Sequence, residues 1–402
     1  KAIETDISLF LRFTKAPVIA VTGSKGKSST VSAIHYGLCK AGFEAFLGGN
    51  ITVSPLNFLE KTNEHTPVVL ELSSWQLADL RGRGVLKPKI AVITTIVPDH
   101  QNWYGAMEPY VADKKLIYAD QDKDCYTLCK YKDEWGSVFA RETKGKIVWH
   151  AEGEAGIELA NNAAIELGEN EVGIAWVDSS GLGKFHRRGT AVTPSSKAET
   201  LLPEKLSVPG THMKENLLKA GIVLRLMGVP SDKIAEVLAS YSGIPHRLEA
   251  FFKWQILRSR EVRFYNDSAA TVPEATIAAI NSFEEKISLI CGGTDKDCNF
   301  EQLAQVLVES RKNGHLAGLY LLDGTGTQKL LGYLPDSFKK GLKPFDGLEP
   351  LLQKLKADVE KMNQEHKDLP VVVFSPGATS FGMFKNEFDR GNTFKDMVTK
   401  MF

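Results

Sequence analysis

The stretch PVIAVTGSKGKSSTVSAIHYGLCKAG, residues 17–42, decides how this chain is read. Residues 17–21 form a short apolar, β-branched run ending in Thr22-Gly23, after which Val31, Ile34 and Leu38 recur at helical spacing until Gly42. The stretch is therefore a strand, a glycine loop and a helix. In that context Gly23-Ser24-Lys25-Gly26-Lys27-Ser28 has the parts that hold phosphate: backbone N–H groups, a helix N-terminus, and a lysine followed by a hydroxyl. The common G-x-x-x-x-G-K-[ST] pattern misses it, because Val21 stands where the first glycine belongs and Gly23 is the working glycine. On this reading Lys27 bridges the β- and γ-phosphates of a nucleoside triphosphate and Ser28 binds Mg²⁺; the bland alternative is a glycine turn with surface lysines.

Outward from the loop, buried-strand runs occupy residues 67–72 and 90–96, each leading into polar residues, as parallel strands with ligand-bearing loops do. Over residues 146–203 short runs such as Ile147-Val148-Trp149 and 173–177 are separated by Gly, Asp and Ser, which reads as an antiparallel meander inserted in or appended to the first core. Residues 210–227 are helical by pattern, and Gly228-Val229-Pro230 separates them from a second helix that ends near Ser242. Beyond Gly243-Ile244-Pro245, residues 287–291, 316–322 and 371–374 each run into glycine and then a helical pattern, which predicts a second, Rossmann-like sheet. The fold class is α/β: a central P-loop-type parallel-sheet domain with a small antiparallel β section over residues 16–243, followed by a Rossmann-like C-terminal domain over 244–402.

Composition narrows the function. A chain of 402 residues exceeds one ordinary core, so a multidomain enzyme is expected. Lys plus Arg equals Asp plus Glu at 49 each, leaving no basic excess to neutralise nucleic-acid phosphates, so the partners expected are small molecules. Five cysteines at 39, 125, 129, 291 and 298 make an odd count without a C-x-x-C pair, which suits a reducing compartment, the cytoplasm. The longest apolar runs, such as 370–374, fall far short of the roughly 20 residues that cross a bilayer. No secretory signal opens the chain, and Lys1 in place of Met leaves room for a segment upstream.

A transferring phosphoryl group needs its charge neutralised, so metal ligands belong at the ends of neighbouring strands. Glu71 closes one such strand and begins Glu71-Leu72-Ser73-Ser74-Trp75-Gln76-Leu77, while Asp99-His100 follows another. Taken alone, a strand-end glutamate is more often a solvated terminus and a lone histidine more often an ordinary surface or core residue. Together with the loop, they resemble the Mur ligase family. The sequence 22–28 is similar to the family's T-G-[TS]-[NK]-G-K-[ST], and 71–77 to the E-L-S-S-x-Q-L of its D-glutamate-adding members. Further matches follow in family order: Gly48-Gly49-Asn50-Ile51, Pro98-Asp99-His100, Tyr110–Lys114, Gly243–Glu249, Asn266-Asp267-Ser268, Gly292–Lys296, Ser375–Phe381, Phe384-Lys385-Asn386 and Arg390-Gly391.

The resemblance implies an ATP-dependent ligase that joins glutamate to the alanyl carboxylate of UDP-N-acetylmuramoyl-L-alanine through an acyl phosphate. It implies ATP contacts from Gly23, Ser24, Lys25, Gly26, Lys27, Ser28 and Ser29, and from Asn216, Arg247 and Asp267 at adenine, phosphate or ribose. Two Mg²⁺ ions are expected on Ser28, Glu71, His100 and Lys114, the last carried as a carbamate; Lys27, His100 and Lys114 are the expected catalytic set. Asn50 and Ser73 are expected to bind substrate, and Thr271, Lys296 and Ser380 to receive the glutamate carboxylates. A uridine-nucleotide-binding domain is expected ahead of residues 7–11, with 1–15 the remnant of its linker, and the enzyme is expected to be a monomer. Ala269 replaces a usual lysine, Val272 and Met213 usual asparagines, and Glu387 a usual aromatic residue. Open alternatives are a relative adding L-glutamate or another amino acid, and a nucleotide-binding protein without ligase activity.

Overall fold

The computed structural model describes residues 4–51, 53–162, 170–187 and 198–402. The chain divides into two compact units, Lys1–Leu206 with Thr211–Tyr241, and Ser207–Gly210 with Ser242–Phe402.

The first unit is built on nine strands: β1 (Val18–Thr22), β2 (Phe46–Gly49), β3 (Val68–Glu71), β4 (Ile90–Ile93), β5 (Tyr126–Lys130), β6 (Lys146–Ala151), β7 (Glu171–Val177), β8 (Gly183–Arg187) and β9 (Glu199–Leu202). Their spatial order is β2-β3-β1-β4-β5-β6-β7-β8-β9, with β1 to β7 parallel. β1, β3 and β4 are buried along their whole length, which is why they read as unbroken apolar runs rather than alternating ones. From β1 the chain crosses to β2 and β3 on one side and then to β4 on the other. The carboxyl end of β1 is thus a topological switch point, where open α/β sheets form their ligand crevice. Helix Lys27–Lys40 starts there and turns Val31, Ile34 and Leu38 inward.

The meander expected over residues 146–203 is corrected in its first half. β6 pairs parallel with β5 and β7 parallel with β6, so both continue the main sheet; only β7-β8-β9 is antiparallel. Helix Gly153–Asn162 stands between β6 and β7, and a crossover of that length returns the chain to the same edge, as parallel pairing requires. Residues 163–169 and 188–197 of this stretch, and 1–3 at the start, lie outside the described residues. Within residues 4–15, helix Asp6–Phe13 begins with a capping box between Thr5 and Ser8 and adds Ile7, Phe10 and Leu11 to the core.

The second unit holds β10 (Glu249–Leu257), β11 (Arg260–Asn266), β12 (Ile287–Gly292), β13 (Leu316–Leu322) and β14 (Val371–Phe374), in the order β10-β11-β14-β12-β13. All pairs are parallel except β10 with β11. Alternation along each strand feeds two cores: Leu289, Leu321 and Val373 meet Ile280, Leu303 and Leu307 on one face, and Ile290, Tyr320 and Phe374 meet Leu351, Leu355 and Phe394 on the other. Helices on both faces leave the carboxyl ends of β11, β12 and β14 to carry loops. Among the described residues no helix is long and apolar enough to cross a membrane.

Candidate active site

The loop after β1 is held open by its own chemistry. Gly23 has φ 145°, and a Cβ there would stand 1.9 Å from Thr94 Oγ1, so no side chain fits. Ser24 N–H donates to Thr95 O at 2.8 Å. The Ser24 hydroxyl donates to Val97 O at 2.8 Å and accepts from Val97 N–H at 3.1 Å and Tyr110 Oη at 3.0 Å. That hydroxyl therefore staples the loop to the end of β4. Lys25 is exposed, 3.9 Å from Asp99 Oδ2, and Ser28 and Ser29 are half-buried in the first helical turn. Lys27 Nζ donates to Gly23 O and Ser24 O, both at 3.0 Å. Burial holds its ammonium below the usual lysine value, against the pull of Glu71 and Asp99.

Glu71 ends β3 with 2% of its surface exposed. Oε1 accepts from Asn50 Nδ2 at 3.3 Å, while the buried Oε2 has no hydrogen-bond partner among the described residues. A buried acceptor left this way is costly unless a cation completes it, so Glu71 offers one oxygen suited to a divalent metal, although among the described residues no three His, Cys, Asp or Glu side chains are gathered as a ligand group. Asn50 reaches Glu71 because its N–H is tied to Glu71 O at 2.9 Å, and at Gly49 (φ 97°) a Cβ would come within 2.2 Å of that same oxygen.

Lys114, on helix Met107–Lys115, is buried and donates from Nζ to Gly23 O at 2.8 Å, with the ammonium 4.4 Å from the Tyr110 ring centroid. Burial first, and the Lys27 charge next, push it down to about 7. His100 is exposed, has φ 54°, and stacks its ring 4.5 Å from that of Trp75. Ser73 is the N-cap of helix Ser74–Asp79, its Oγ accepting from Gln76 N–H at 3.2 Å. Asn216, on helix Thr211–Leu226, is buried with Oδ1 only 2.5 Å from where a Gly26 Cβ would stand.

In the second unit, Asp267 follows β11 and is buried. Its Oδ2 accepts from Ser375 Oγ at 2.7 Å and its Oδ1 from Leu248 N–H at 3.2 Å. Burial pushes its carboxyl up to about 6, against these bonds and the Arg247 charge; Arg247 itself is exposed. Lys296, in the exposed loop after β12, donates to Thr271 Oγ1 at 3.2 Å. The Thr294–Thr379 bridge lays that loop beside the one carrying buried Ser380. The structure thus brings Lys27, Lys114 and Ser24 together around Gly23, and Lys296 with Thr271.

Two residues outside the expected site also bear on it. Tyr110 fixes the Ser24 hydroxyl. Arg390, 1% exposed, forks onto Ser268 Oγ, Ser268 O and Ala378 O at 2.8 to 3.0 Å, tying the Asp267 loop to the Ser380 loop. Both sit inside the sequence motifs, but only the fold tells a buried arginine from a solvated one.

The pattern described as the Mur ligase middle domain matches residues 21–224. The chain is 40% identical to the UDP-N-acetylmuramoylalanine--D-glutamate ligase of Treponema pallidum (strain Nichols), covering all of this chain and 80% of that one. It is 34% identical to the enzyme of the same name from Roseiflexus sp. (strain RS-1), over 98% and 78%. Among solved structures, a MurF from Acinetobacter baumannii superposes with TM-score 0.59 at 16% identity, covering 98% of this chain and 79% of that chain. A FolC from E. coli gives 0.56 at 17%, over 100% and 95%. At such identities these two speak for the fold alone.

Proposed function

This chain belongs to the Mur ligase family, and from that premise we propose how its residues divide the work of joining D-glutamate to the alanyl carboxylate of UDP-N-acetylmuramoyl-L-alanine with ATP. A carboxylate is a poor electrophile, so its oxygen must first become part of a leaving group. The alanyl carboxylate attacks the γ-phosphorus, the bond to ADP breaks, and an acyl phosphate forms; the glutamate amine then attacks the carbonyl, loses a proton, and phosphate departs.

The observation that carries this reading is the convergence of Lys27 and Lys114 on Gly23 O, in a unit where buried Glu71 Oε2 has no partner among the described residues. Lys27 and the N–H groups of residues 24–28 hold the phosphates and spread the charge of transfer. Ser28, Glu71, His100 and a carbamylated Lys114 would hold two Mg²⁺ ions, which when bound neutralise charge on the triphosphate and the attacking carboxylate. Supporting the carbamate, a lysine pushed down to about 7 has a sizeable fraction of free amine at neutral pH, the form that adds CO₂ and releases a proton. Gly23 to Ser29, Asn216, Arg247 and Asp267 serve ATP, Arg247 as a cation for phosphate and Asp267 as an acceptor for ribose hydroxyls. Asn50 and Ser73 lie toward the muramoyl substrate, and Lys296, Thr271 and Ser380 take the glutamate carboxylates.

We further assign the enzyme to the cytoplasm as a monomer without nucleic-acid or membrane partners, supported by its five free cysteines and balanced charge. Phosphate release assayed with UDP-N-acetylmuramoyl-L-alanine and a panel of D- and L-amino acids tests the reading. D-Glutamate is expected to give the highest kcat/KM, and ATP binding without phosphate release for any amino acid would contradict it.

A further inference from the structure

Helix Thr211–Leu226 carries Glu215 and Lys219 on a face that is buried. Lys219 is wholly buried and pairs one turn back with Glu215, Nζ to Oε1 at 2.6 Å. Glu215 Oε2 accepts from Lys130 Nζ at 3.1 Å, and Lys130 lies 3.7 Å from Glu152 Oε1. Lys130 ends β5 and Glu152 follows β6, so these bonds clamp the helix to the carboxyl edge of the sheet, the edge at which the phosphate loop leaves β1. His150 of β6 is fully buried with neither ring nitrogen bonded among the described residues; burial above all, then the Lys219 charge, keeps it neutral. Burial works to raise the Glu215 carboxyl, but Lys219 foremost brings it well below the usual range, while burial lowers the Lys219 amine against the pull of Glu215.

Successive residues on a helix point about 100° apart. Glu215 therefore faces the sheet edge while its neighbour Asn216 faces the loop at Gly26, in a contact so close that a Cβ on Gly26 would meet Asn216 Oδ1 at 2.5 Å. Rotating or lifting the helix would part Glu215 from Lys130, the bond that crosses from helix to sheet, and would strip a buried carboxylate of one of its two cations. We propose that Glu215 is a positioning residue for ATP: held by Lys219 one turn along its own helix, it bonds Lys130 of the sheet, which fixes the helix and thereby holds Asn216 at the nucleotide. The proposal rests on the assignment of Asn216 to ATP made above.

Steady-state kinetics of the full chain with its substrates, alongside thermal melting, test it. Glu215→Gln is expected to raise KM for ATP about tenfold, with kcat and KM for glutamate within about twofold. Lys130→Ala, at a half-exposed position, is expected to move KM for ATP in the same direction by less. Glu215→Gln/Lys219→Met removes the unpaired buried charge, so it is expected to recover Tm while KM for ATP stays raised. Adding Glu215→Gln to Asn216→Ala is expected to change KM for ATP no further, because one acts through the other. Recovery of KM together with Tm in the double variant, or additive effects with Asn216→Ala, would reduce Glu215 to a structural role and overturn the proposal. If Asn216→Ala raises KM for ATP and the Glu215 and Lys130 variants do not, the proposal fails alone; if Asn216→Ala leaves it unchanged, the assignment of Asn216 falls and takes the proposal with it.

Discussion

Lys114 Nζ and Lys27 Nζ donate to the same atom, the Gly23 carbonyl oxygen, at 2.8 and 3.0 Å. Two ammonium groups on one acceptor repel, and the more buried of them, Lys114, gives way in its proton affinity. A carbamate on Lys114 would turn that repulsion into attraction. Lys114→Ala is therefore expected to lose activity by about two orders of magnitude or more, and to regain part of it with millimolar short carboxylic acids that replace the carbamate oxygens as metal ligands. Full activity of the variant without additive would reduce Lys114 to a buried structural lysine.

Glu71 offers a second handle on the metal. Its Oε2 is buried and without a hydrogen-bond partner among the described residues, so a cation there should stabilise the folded state by mass action. Mg²⁺ with a non-hydrolysable ATP analogue is expected to raise the Tm of the parent by several degrees, and that of Glu71→Gln by less than half as much. Equal shifts in both would place the metal elsewhere.

Asp267 predicts a pH dependence. Its carboxyl is pushed up to about 6 by burial, and only the ionised form accepts hydrogen bonds with both oxygens. KM for ATP is expected to rise as pH falls below about 6 in the parent and to stay flat in Asp267→Asn. The folded state holds this proton more tightly than the unfolded chain. The stability it contributes is therefore present below the ordinary aspartate range and lost as pH rises through about 6. Asp267→Asn is accordingly expected to raise Tm at pH 8 more than at pH 4. A parent and variant with parallel profiles would contradict this.

The proposed glutamate site rests on one cation. Lys296 is held by Thr271 at 3.2 Å, and Ala269 supplies no second positive charge. Lys296→Met is expected to raise KM for glutamate on the order of a hundredfold, for a charge-assisted contact of about 3 kcal/mol, with KM for ATP nearly unchanged. Equal losses for both substrates would mean that Lys296 serves the phosphates.

Much of this was legible in the sequence, because the features that build the crevice are local. A strand, a glycine with no room for a side chain and a helix follow one another in residues 17–42, and Glu71 and Lys114 stand in motifs of their own. What escaped depends on distant partners. The pattern puts β6 in an antiparallel meander because short apolar runs broken by Gly and Asp look alike in parallel and antiparallel strands, and helix Gly153–Asn162 decides between them. The motifs do not tell that the Ser24 hydroxyl is also a loop staple and Ser73 also a helix cap, because both bonds depend on the folded backbone. Glu215 and Lys219 have the spacing of an ordinary solvated pair, and only tertiary packing shows that they are buried and clamped to β5.

In the proposed reaction the phosphate loop serves to place phosphate on the alanyl carboxylate. The most direct measurement uses UDP-N-acetylmuramoyl-L-alanine with both alanyl carboxylate oxygens replaced by ¹⁸O, turned over with unlabelled ATP and D-glutamate, and reads the mass of the phosphate released. An acyl phosphate leaves with the oxygen that bridged carbon and phosphorus, so phosphate carrying one ¹⁸O atom is expected, with one ¹⁸O remaining in the amide. Unlabelled phosphate together with amide product would mean that ATP is cleaved without activating the carboxylate, and would contradict the account.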